Sequence, residues 1–122
     1  MKALVLIFVG GGLGSVARFL LGRWVTGIHN LNFPLGTLAV NAVACFVLGL
    51  IVGFADHKQM LSADMRIFWA VGFCGGFSTF STFSYETLLL FQQPALMSGI
   101  VYVLASVALC LAATALGVAI AR

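Results

Sequence analysis

The sequence contains very little charge. Its 122 residues include only six Lys and Arg and three Asp and Glu, or 7% charged residues, whereas a soluble domain usually has about 25% because water must wet its surface. Hydrophobic residues make up 62% of the chain. A soluble enzyme, a nucleic-acid-binding protein and a disordered chain each need a polar or charged exterior. The composition therefore argues against all three classes and indicates a protein embedded in a lipid bilayer.

Cysteine and histidine are too few and too scattered to indicate a disulfide framework or a metal centre. The chain has an odd number of cysteines, and they lack CxxC spacing and lie within apolar runs: Cys45, Cys74 and Cys110. This arrangement is typical of buried free thiols. His29 and His57 lie in predicted loops, away from the buried serines. This separation disfavours both a Ser-His catalytic pair and a zinc site.

Four apolar stretches are long enough to cross a bilayer, which requires about 20 residues. They cover residues 3–21, 34–55, 67–91 and 95–121, and polar loops at 23–32, 56–64 and 92–94 separate them. Residues 1–122 are thus predicted to form a single four-helix transmembrane domain.

The orientation of these spans is weakly specified. Four basic residues fall on the side of the termini: Lys2, Lys58, Arg66 and Arg122. Arg23 falls on the other side, as does Arg18 if it reaches the interface, so the positive-inside rule mildly favours cytoplasmic termini. With so few charges, insertion in both orientations is also compatible with the sequence.

The glycines of the first span have three interpretations. Gly12, Gly14 and Ala17 match the dinucleotide-binding pattern GxGxxG/A, but no acidic residue precedes Asp56 and no βαβ unit follows. The apolar start, with small residues up to Ala17, also resembles a secretory signal, although the glycines interrupt its apolar core. The GxxxG spacing of Gly10 and Gly14 favours close helix packing.

The third span contains a sequence that predicts an interrupted helix. Adjacent Gly75 and Gly76 each weaken a helix by about 1 kcal/mol relative to alanine, and the following hydroxyl residues can satisfy the freed backbone groups. Unwound backbone at this depth is tolerated where it faces protein, water or an ion, so residues 75–79 are a candidate functional segment. The spacing of Gly72 and Gly76 also fits simple helix packing.

Polar side chains recur along helical faces. Ser78, Ser81 and Ser84 share one face, and Phe80 and Phe83 share another. Hydroxyl donors beside the positive edges of phenyl rings suit an anion. The phenylalanines could equally face lipid or fill a core.

Three further polar residues lie within or near the spans. Asn41 must face protein or water because an unpaired amide is costly in hydrocarbon, and it could either join helices or line a path. Arg18 could attract anions at one mouth and Glu86 could accept hydrogen bonds, or both could be structural. A weakly polar stripe on the fourth span, explained equally by packing or function, contains Tyr102, Ser106, Cys110 and Thr114.

The chain resembles the Fluc, or CrcB-type, family of fluoride channels over essentially its whole length. Three motifs carry the resemblance in the family's order: GGLGSVARF at 11–19, GTLAVN at 36–41 and GFCGGFSTFSTF at 72–83. The family usually has tyrosine at the position of Phe19 and alanine at that of Ser15. It often has threonine at the position of Ser78.

The resemblance implies an all-α membrane protein rather than an enzyme, with four transmembrane helices per subunit and the third helix broken near mid-membrane. It implies an antiparallel, dual-topology homodimer in the bacterial inner membrane, with two pathways for passive, electrogenic fluoride efflux and no nucleic-acid partner. The implied pathway residues are Asn41, Phe80, Phe83, Ser81, Ser84, Tyr102, Ser106 and Thr114. Cys110 stands where relatives often have serine, which is a better donor than a thiol.

The resemblance also implies a structural Na⁺ at the dimer interface. Its ligands would be the main-chain carbonyls of Gly75 and Ser78 from each subunit.

A small multidrug-type proton antiporter is the main alternative, because it is also a short four-span protein. It would need a carboxylate within the first span, where this chain has Arg18 and no acidic residue. A structural subunit of a larger membrane complex is a third possibility.

Overall fold

In the computed structural model, the described residues are 1–29, 32–57, 60–94 and 96–122. This part of the chain is helical apart from short connections and contains no strand, which confirms the predicted all-α fold. The elements are α1 (Lys2–Gly27), α2 (Leu35–His57), α3 (Ala63–Arg66), a π-helix (Ile67–Cys74), α4 (Gly75–Phe77), α5 (Phe80–Phe91) and α6 (Leu96–Ala121). The predicted loop residues Asn30 and Lys58, and Ala95 at the predicted start of the fourth span, lie outside the described residues.

Three of these helices, α1, α2 and α6, are long and apolar enough to cross a membrane. The predicted third span instead consists of α3, the π-helix, α4 and α5 in succession, and each piece alone is shorter than the roughly 20 residues needed for a crossing. The described residues therefore form a multi-pass arrangement in which one segment is subdivided.

Helix α1 is longer than its sequence predicts. It continues through Arg23 to Gly27, whereas the polar residues after 21 predict a loop. The Arg23 guanidinium lies over the Phe19 ring, 5.7 Å from its centroid, so the charge is accommodated on the helix surface. Helix α2 likewise ends at His57 rather than near residue 55.

Glycines allow the helices to approach closely. A Cβ added to Gly10 would lie 2.6 Å from the Phe68 carbonyl oxygen, and one added to Gly14 would collide with the Phe73 carbonyl. Both contacts join α1 to the π-helix, as the GxxxG spacing predicts. In contrast, no described atom lies within 4 Å of a Cβ added to Gly12.

The buried core is small and the apolar exterior is large. Val40, Ala44 and Phe77 form the buried cluster, whereas Phe8 is 83% exposed. A soluble protein rarely leaves such extensive apolar surface in water. Lipid or another protein subunit must therefore cover this exterior.

Two exposed ion pairs lie at one end of the helices. Lys2 Nζ is 2.6 Å from Asp64 Oδ2, and Arg66 Nη2 is 3.7 Å from Asp56 Oδ1. Such pairs stabilise little when solvent surrounds them. They nevertheless place the start of α1, the end of α2 and the short α3 at the same end, as the loop assignment predicts for Lys2 and Arg66.

Candidate functional site

The helical path stops after Phe77 and resumes at Phe80. Ser78 has φ −79° and ψ 157°, and Thr79 has φ −150° and ψ 114°, so both residues are extended. The Ser78 hydroxyl and amide both donate to the Cys74 carbonyl, at 2.8 and 2.9 Å. The Thr79 hydroxyl accepts from the Thr82 amide at 3.2 Å and caps α5. The hydroxyls after the glycines therefore satisfy backbone groups at the interruption.

The adjacent glycines themselves remain helical. Gly75 has φ −62° and ψ −39°, and a Cβ on Gly76 would collide with the Gly11 carbonyl of α1. Gly76 thus serves close packing, and the interruption lies two residues further along. The sequence leaves close helix packing and a helix interruption as alternatives. The structure contains both, because Gly76 packs against α1 and the helix is interrupted at Ser78.

Asn41 of α2 bridges to this interruption. Its Nδ2 donates to the Thr79 carbonyl at 3.1 Å, and its Oδ1 accepts from the Thr79 amide at 2.8 Å. The side chain replaces hydrogen bonds that a continuous helix would supply. An amide nitrogen carries two hydrogens, so one remains for another acceptor.

Arg18 of α1 binds the end of α4. Its Nε donates to the Gly76 carbonyl at 3.1 Å, and the Ser15 hydroxyl donates to the same oxygen at 3.5 Å. A cation is favourable at a helix C-terminus because the last carbonyls lack helical partners. The contact therefore fixes Arg18 beside the interruption.

Arg18 also borders a cavity of about 440 Å³, which we call the arginine cavity. Its polar wall contains Arg18, Arg23, Thr26, Thr37, Thr79, Thr82 and Glu86. Because the wall holds two cationic side chains and one carboxylate, its net charge is positive.

A second cavity of about 260 Å³, the phenylalanine cavity, lies on the other side of Thr79, which borders both. Its wall is formed by Asn41, Cys45, Ser78, Thr79, Phe80, Phe83, Ser106, Val107 and Cys110. None of these described residues carries a formal charge. The cavity thus brings together four predicted pathway residues from three separate helices: Asn41, Phe80, Phe83 and Ser106.

Aromatic rings connect this cavity to α6. The Phe80 and Phe83 centroids are 5.5 Å apart with planes at 46°, and those of Phe83 and Tyr102 are 5.1 Å apart at 44°. Ser106 is 6% exposed, and its Oγ has no hydrogen-bond partner within the described chain. A buried hydroxyl without a partner is unfavourable, which makes Ser106 a candidate polar group of this cavity wall.

Glu86 and Tyr102 form a contact that sequence spacing does not reveal. The Tyr102 side chain is fully buried and its hydroxyl donates to Glu86 Oε1 at 3.1 Å, and Thr37 borders the neighbouring arginine cavity. The pair links α5 to α6 beside the arginine cavity. Thr37 was not a predicted site residue because a single threonine near a helix start has no distinctive pattern.

Ser81, Ser84 and Thr114 lie apart from the two cavities. Ser81 and Ser84 line an open cleft on the other side of Phe80, and Ser81 Oγ is 3.3 Å from the Thr79 hydroxyl. The Thr114 hydroxyl donates to the Cys110 carbonyl of its own helix at 2.9 Å. Their role in a pathway stays a prediction.

The carbonyls of Gly75 and Ser78 are released from their usual helical partners. In a continuous α-helix they would accept from the amides four residues ahead, which are those of Thr79 and Thr82. The Thr79 amide instead donates to Asn41, and the Thr82 amide donates to the Thr79 hydroxyl. Released carbonyls of this kind coordinate Na⁺ in membrane transport proteins. The backbone present therefore fits the predicted ion.

Side-chain metal ligands do not cluster in the described residues. Within ranges 1–29, 32–57, 60–94 and 96–122, no three His, Cys, Asp or Glu side chains are placed to hold an ion together.

These features define a multi-pass helical membrane protein with an interrupted helix between two cavities, one of which has a basic wall. The family model described as "CrcB-like protein, Camphor Resistance (CrcB)" matches residues 5–118. The chain belongs to this family, which confirms the resemblance seen in its three motifs.

Curated relatives match along the full chain. A protein of Geobacter metallireducens named "Fluoride-specific ion channel FluC" is 45% identical over 122 residues, covering 100% of this chain and 98% of the relative. A protein of Rhizobium etli with the same name is 42% identical over 118 residues, covering 97% of this chain and 94% of the relative. A protein of Agrobacterium fabrum with the same name is 42% identical over 122 residues, covering 100% of this chain and 98% of the relative.

Proposed function

We propose that this protein is a fluoride channel that allows passive, electrogenic efflux of cytoplasmic fluoride. The relatives' names support the ion, and the phenylalanine cavity is the observation that carries the proposal. Fluoride is small and tightly hydrated, so a pathway must replace its water with several close donors or positive groups. The cavity offers the Asn41 amide, the unpartnered Ser106 hydroxyl and two phenyl rings without placing a formal charge in its wall.

The proposed route passes from the arginine cavity, along Thr79, into the phenylalanine cavity. The basic wall of the first cavity raises the local concentration of anions. The second replaces water by ring edges, which are the positive part of the phenyl quadrupole, and by the remaining Asn41 hydrogen. Passive movement is supported by the absence of any acidic residue before Asp56, since a proton-coupled antiporter would need a carboxylate in α1.

Further hydroxyl groups extend this proposed route. Tyr102 contacts the Phe83 ring. The family resemblance adds three further residues to the route: Ser81, Ser84 and Thr114. Cys110 borders the cavity where relatives often have serine, and it contributes a weaker donor. Arg18 and Glu86 act at the vestibule, the first as an anion attractor and the second as the acceptor that fixes Tyr102.

We further propose an antiparallel, dual-topology homodimer with two such pathways in the bacterial inner membrane. In each subunit, α3 to α5 would form a fourth crossing that is broken near mid-membrane. Phe80 is 79% exposed in the isolated subunit, and a second copy would cover it. The low number of charges permits both orientations.

A structural Na⁺ is proposed at the centre of that dimer. The released carbonyls of Gly75 and Ser78 in each subunit would hold it, and both residues are exposed in the single subunit. The bound cation would neutralise carbonyl dipoles that face one another across the interface. Because the proposed ligands are main-chain carbonyls, the presence of serine rather than threonine at position 78 should have little effect on Na⁺ binding.

Fluoride efflux from liposomes containing the purified full chain tests the proposal. Vesicles are loaded with potassium fluoride, and external fluoride is followed with a selective electrode before and after valinomycin. Electrogenic flux requires the ionophore, and substitution of chloride for fluoride should largely abolish it. Absence of fluoride flux, or flux independent of valinomycin, would contradict the channel; pH-driven cation exchange would instead indicate the antiporter.

A further inference from the structure

The two arginines of the arginine cavity are held in different ways. Arg18 is half-buried, and its Nε donates to the Gly76 carbonyl at 3.1 Å. Arg23 is exposed, its guanidinium lies 5.7 Å from the centroid of the Phe19 ring, and it belongs to neither of the ion pairs within the described chain. One guanidinium is therefore fixed on the backbone of another helix, whereas the other lies against a ring of its own helix.

The carbonyl that Arg18 binds lies at the helix interruption. In a continuous α-helix the Gly76 carbonyl would accept from the amide of Phe80, four residues ahead. The two residues that precede Phe80 are extended, and the carbonyl accepts from side chains of α1 instead. The Ser15 hydroxyl lies 3.5 Å from this oxygen, near the limit for a hydrogen bond, so Arg18 is its main donor.

The sequence of α1 brings Arg18 to this carbonyl. Gly11, Gly14 and Arg18 follow one another at intervals of three and four residues, so they share one face of the helix. A Cβ on Gly76 would collide with the Gly11 carbonyl, and one on Gly14 would collide with the Phe73 carbonyl. Helix α1 therefore meets the segment around α4 backbone to backbone, and Arg18 lies one turn beyond this contact.

Side chains from two other helices thus hold the two ends of the interruption. Asn41 of α2 binds both backbone groups of Thr79, and Arg18 of α1 binds Gly76. Thr79 borders both cavities, and Phe80 after it borders the phenylalanine cavity. A shift at the end of α4 would therefore move the residues that lie between the two cavities.

We propose that Arg18 is a positioning residue, whose bond to Gly76 fixes the end of α4 and thereby keeps Thr79 and Phe80 at the two cavities. This role is separate from the charge of Arg18, because the hydrogen bond comes from Nε, the nitrogen bonded to Cδ. Lysine has a methylene group at that place but keeps the charge. Glutamine has its amide nitrogen at that place, so a donor remains without the charge.

Fluoride flux and amide exchange test this role. Flux through the full chain in liposomes is measured against fluoride concentration at low and high ionic strength, and amide exchange in residues 75–82 is followed by mass spectrometry. The variants are Arg18→Lys and Arg18→Gln, with Arg23→Gln as the comparison for loss of charge alone. Arg122→Lys, at the exposed C-terminus, is the matched control. The flux measurement rests on the proposed function, whereas the exchange measurement does not.

Arg18→Lys should lower the maximal flux by roughly tenfold, because a hydrogen bond from a charged group is lost, and should speed up amide exchange in residues 75–82. Arg18→Gln should keep the exchange rates and the maximal flux. It should raise the half-saturating fluoride concentration severalfold at low ionic strength, as Arg23→Gln should, because each removes a charge that attracts anions. Arg122→Lys should match the unaltered chain in both measurements.

Normal exchange in Arg18→Lys would overturn the positioning role, as would a variant that changes only the half-saturating fluoride concentration. If Arg18→Lys does not fold, Arg18→Gln decides the matter, because faster exchange there would show that the bond from Nε is not what holds α4. Faster exchange in Arg18→Lys with normal maximal flux would overturn the effect on the pathway. An unaltered chain that carries no fluoride would refute the proposed function alone, and faster exchange in Arg18→Lys would still support the contact.

Discussion

The side-chain amide of Asn41 holds the backbone of Thr79 at both its carbonyl, 3.1 Å away, and its amide, 2.8 Å away. One residue of α2 thereby supplies the hydrogen bonds that the interrupted helix lacks. The same contact removes the amide that Gly75 would otherwise bind. The Asn41 side chain therefore supports three features: the helix interruption, the position of Thr79 between the two cavities and the released Gly75 carbonyl.

Asn41→Asp should reduce fluoride flux severely. The substitution replaces the Nδ2 donor by an oxygen that repels the Thr79 carbonyl, and it introduces a negative charge beside an anion route. We also expect a loss of about 1–3 kcal/mol in stability from the unsatisfied carbonyl. Flux in liposomes and denaturation in detergent measure the two effects.

Asn32→Asp is the matched control, because Asn32 is exposed in the connection before α2. It should leave both measurements close to those of the unaltered chain. If Asn41→Asp conducts as well as this control, the amide has no role in the pathway.

Gly14→Ala should destabilise the protein, whereas Gly12→Ala should not. The new methyl group at position 14 would collide with the Phe73 carbonyl, but at position 12 it meets no described atom within 4 Å. Overpacking costs about 1–3 kcal/mol, and alanine in a helix offsets about 1 kcal/mol of it. Unfolding of both variants in detergent provides the comparison. Equal stability would show that α1 and the π-helix can separate without cost.

Much of the fold follows from the sequence because hydrophobic length and glycine spacing are local signals. The apolar runs predict α1, α2 and α6, and Gly10 with Gly14 predicts close packing. The predicted end of α1 is wrong: Arg23 suggests a loop, but in the structure its guanidinium lies over the Phe19 ring within a continuous helix. Whether a charged residue finds such a surface depends on its neighbours in the folded helix.

The candidate site is less predictable because its contacts join distant residues. The hydroxyls after Gly76 suggest an interruption, but its position at Ser78 and Thr79 depends on Asn41, which lies 38 residues away. The contact between Tyr102 and Glu86 likewise joins two helices. A single sequence shows that such polar residues need partners without showing which partners they find.

Tyr102→Phe should lower flux while keeping the ring contacts. It removes the hydroxyl that donates to Glu86 and leaves the carboxyl group of that residue without this partner. A stability loss of about 1–3 kcal/mol is expected from the unsatisfied acceptor. Tyr85→Phe, at an exposed position of α5, should leave flux and stability unchanged. Equal flux in the two variants would argue against a role for the phenol.

Phe80→Ile should reduce flux severely without unfolding the subunit. Isoleucine keeps an apolar side chain but lacks the positive ring edge that an anion can approach, and Phe80 is too exposed in the subunit to support its core. Phe8→Ile serves as control, since Phe8 is exposed on α1 and borders neither cavity. Flux and thermal unfolding should be measured on the same preparations. Normal flux through Phe80→Ile would remove this ring from the proposed pathway.

Replacing Na⁺ by N-methylglucamine should lower the thermal stability of the assembled protein, because an ion that binds only the folded state stabilises it by mass action. Ser78→Ala should show the same dependence on Na⁺, since the proposed ligand at this position is the carbonyl and not the hydroxyl. Asn41→Leu should weaken the dependence, because the Thr79 amide loses its acceptor and becomes available to the Gly75 carbonyl again. Melting curves over a Na⁺ series at constant ionic strength compare the three proteins. A dependence lost in Ser78→Ala but kept in Asn41→Leu would place the ion on side chains and refute the carbonyl site.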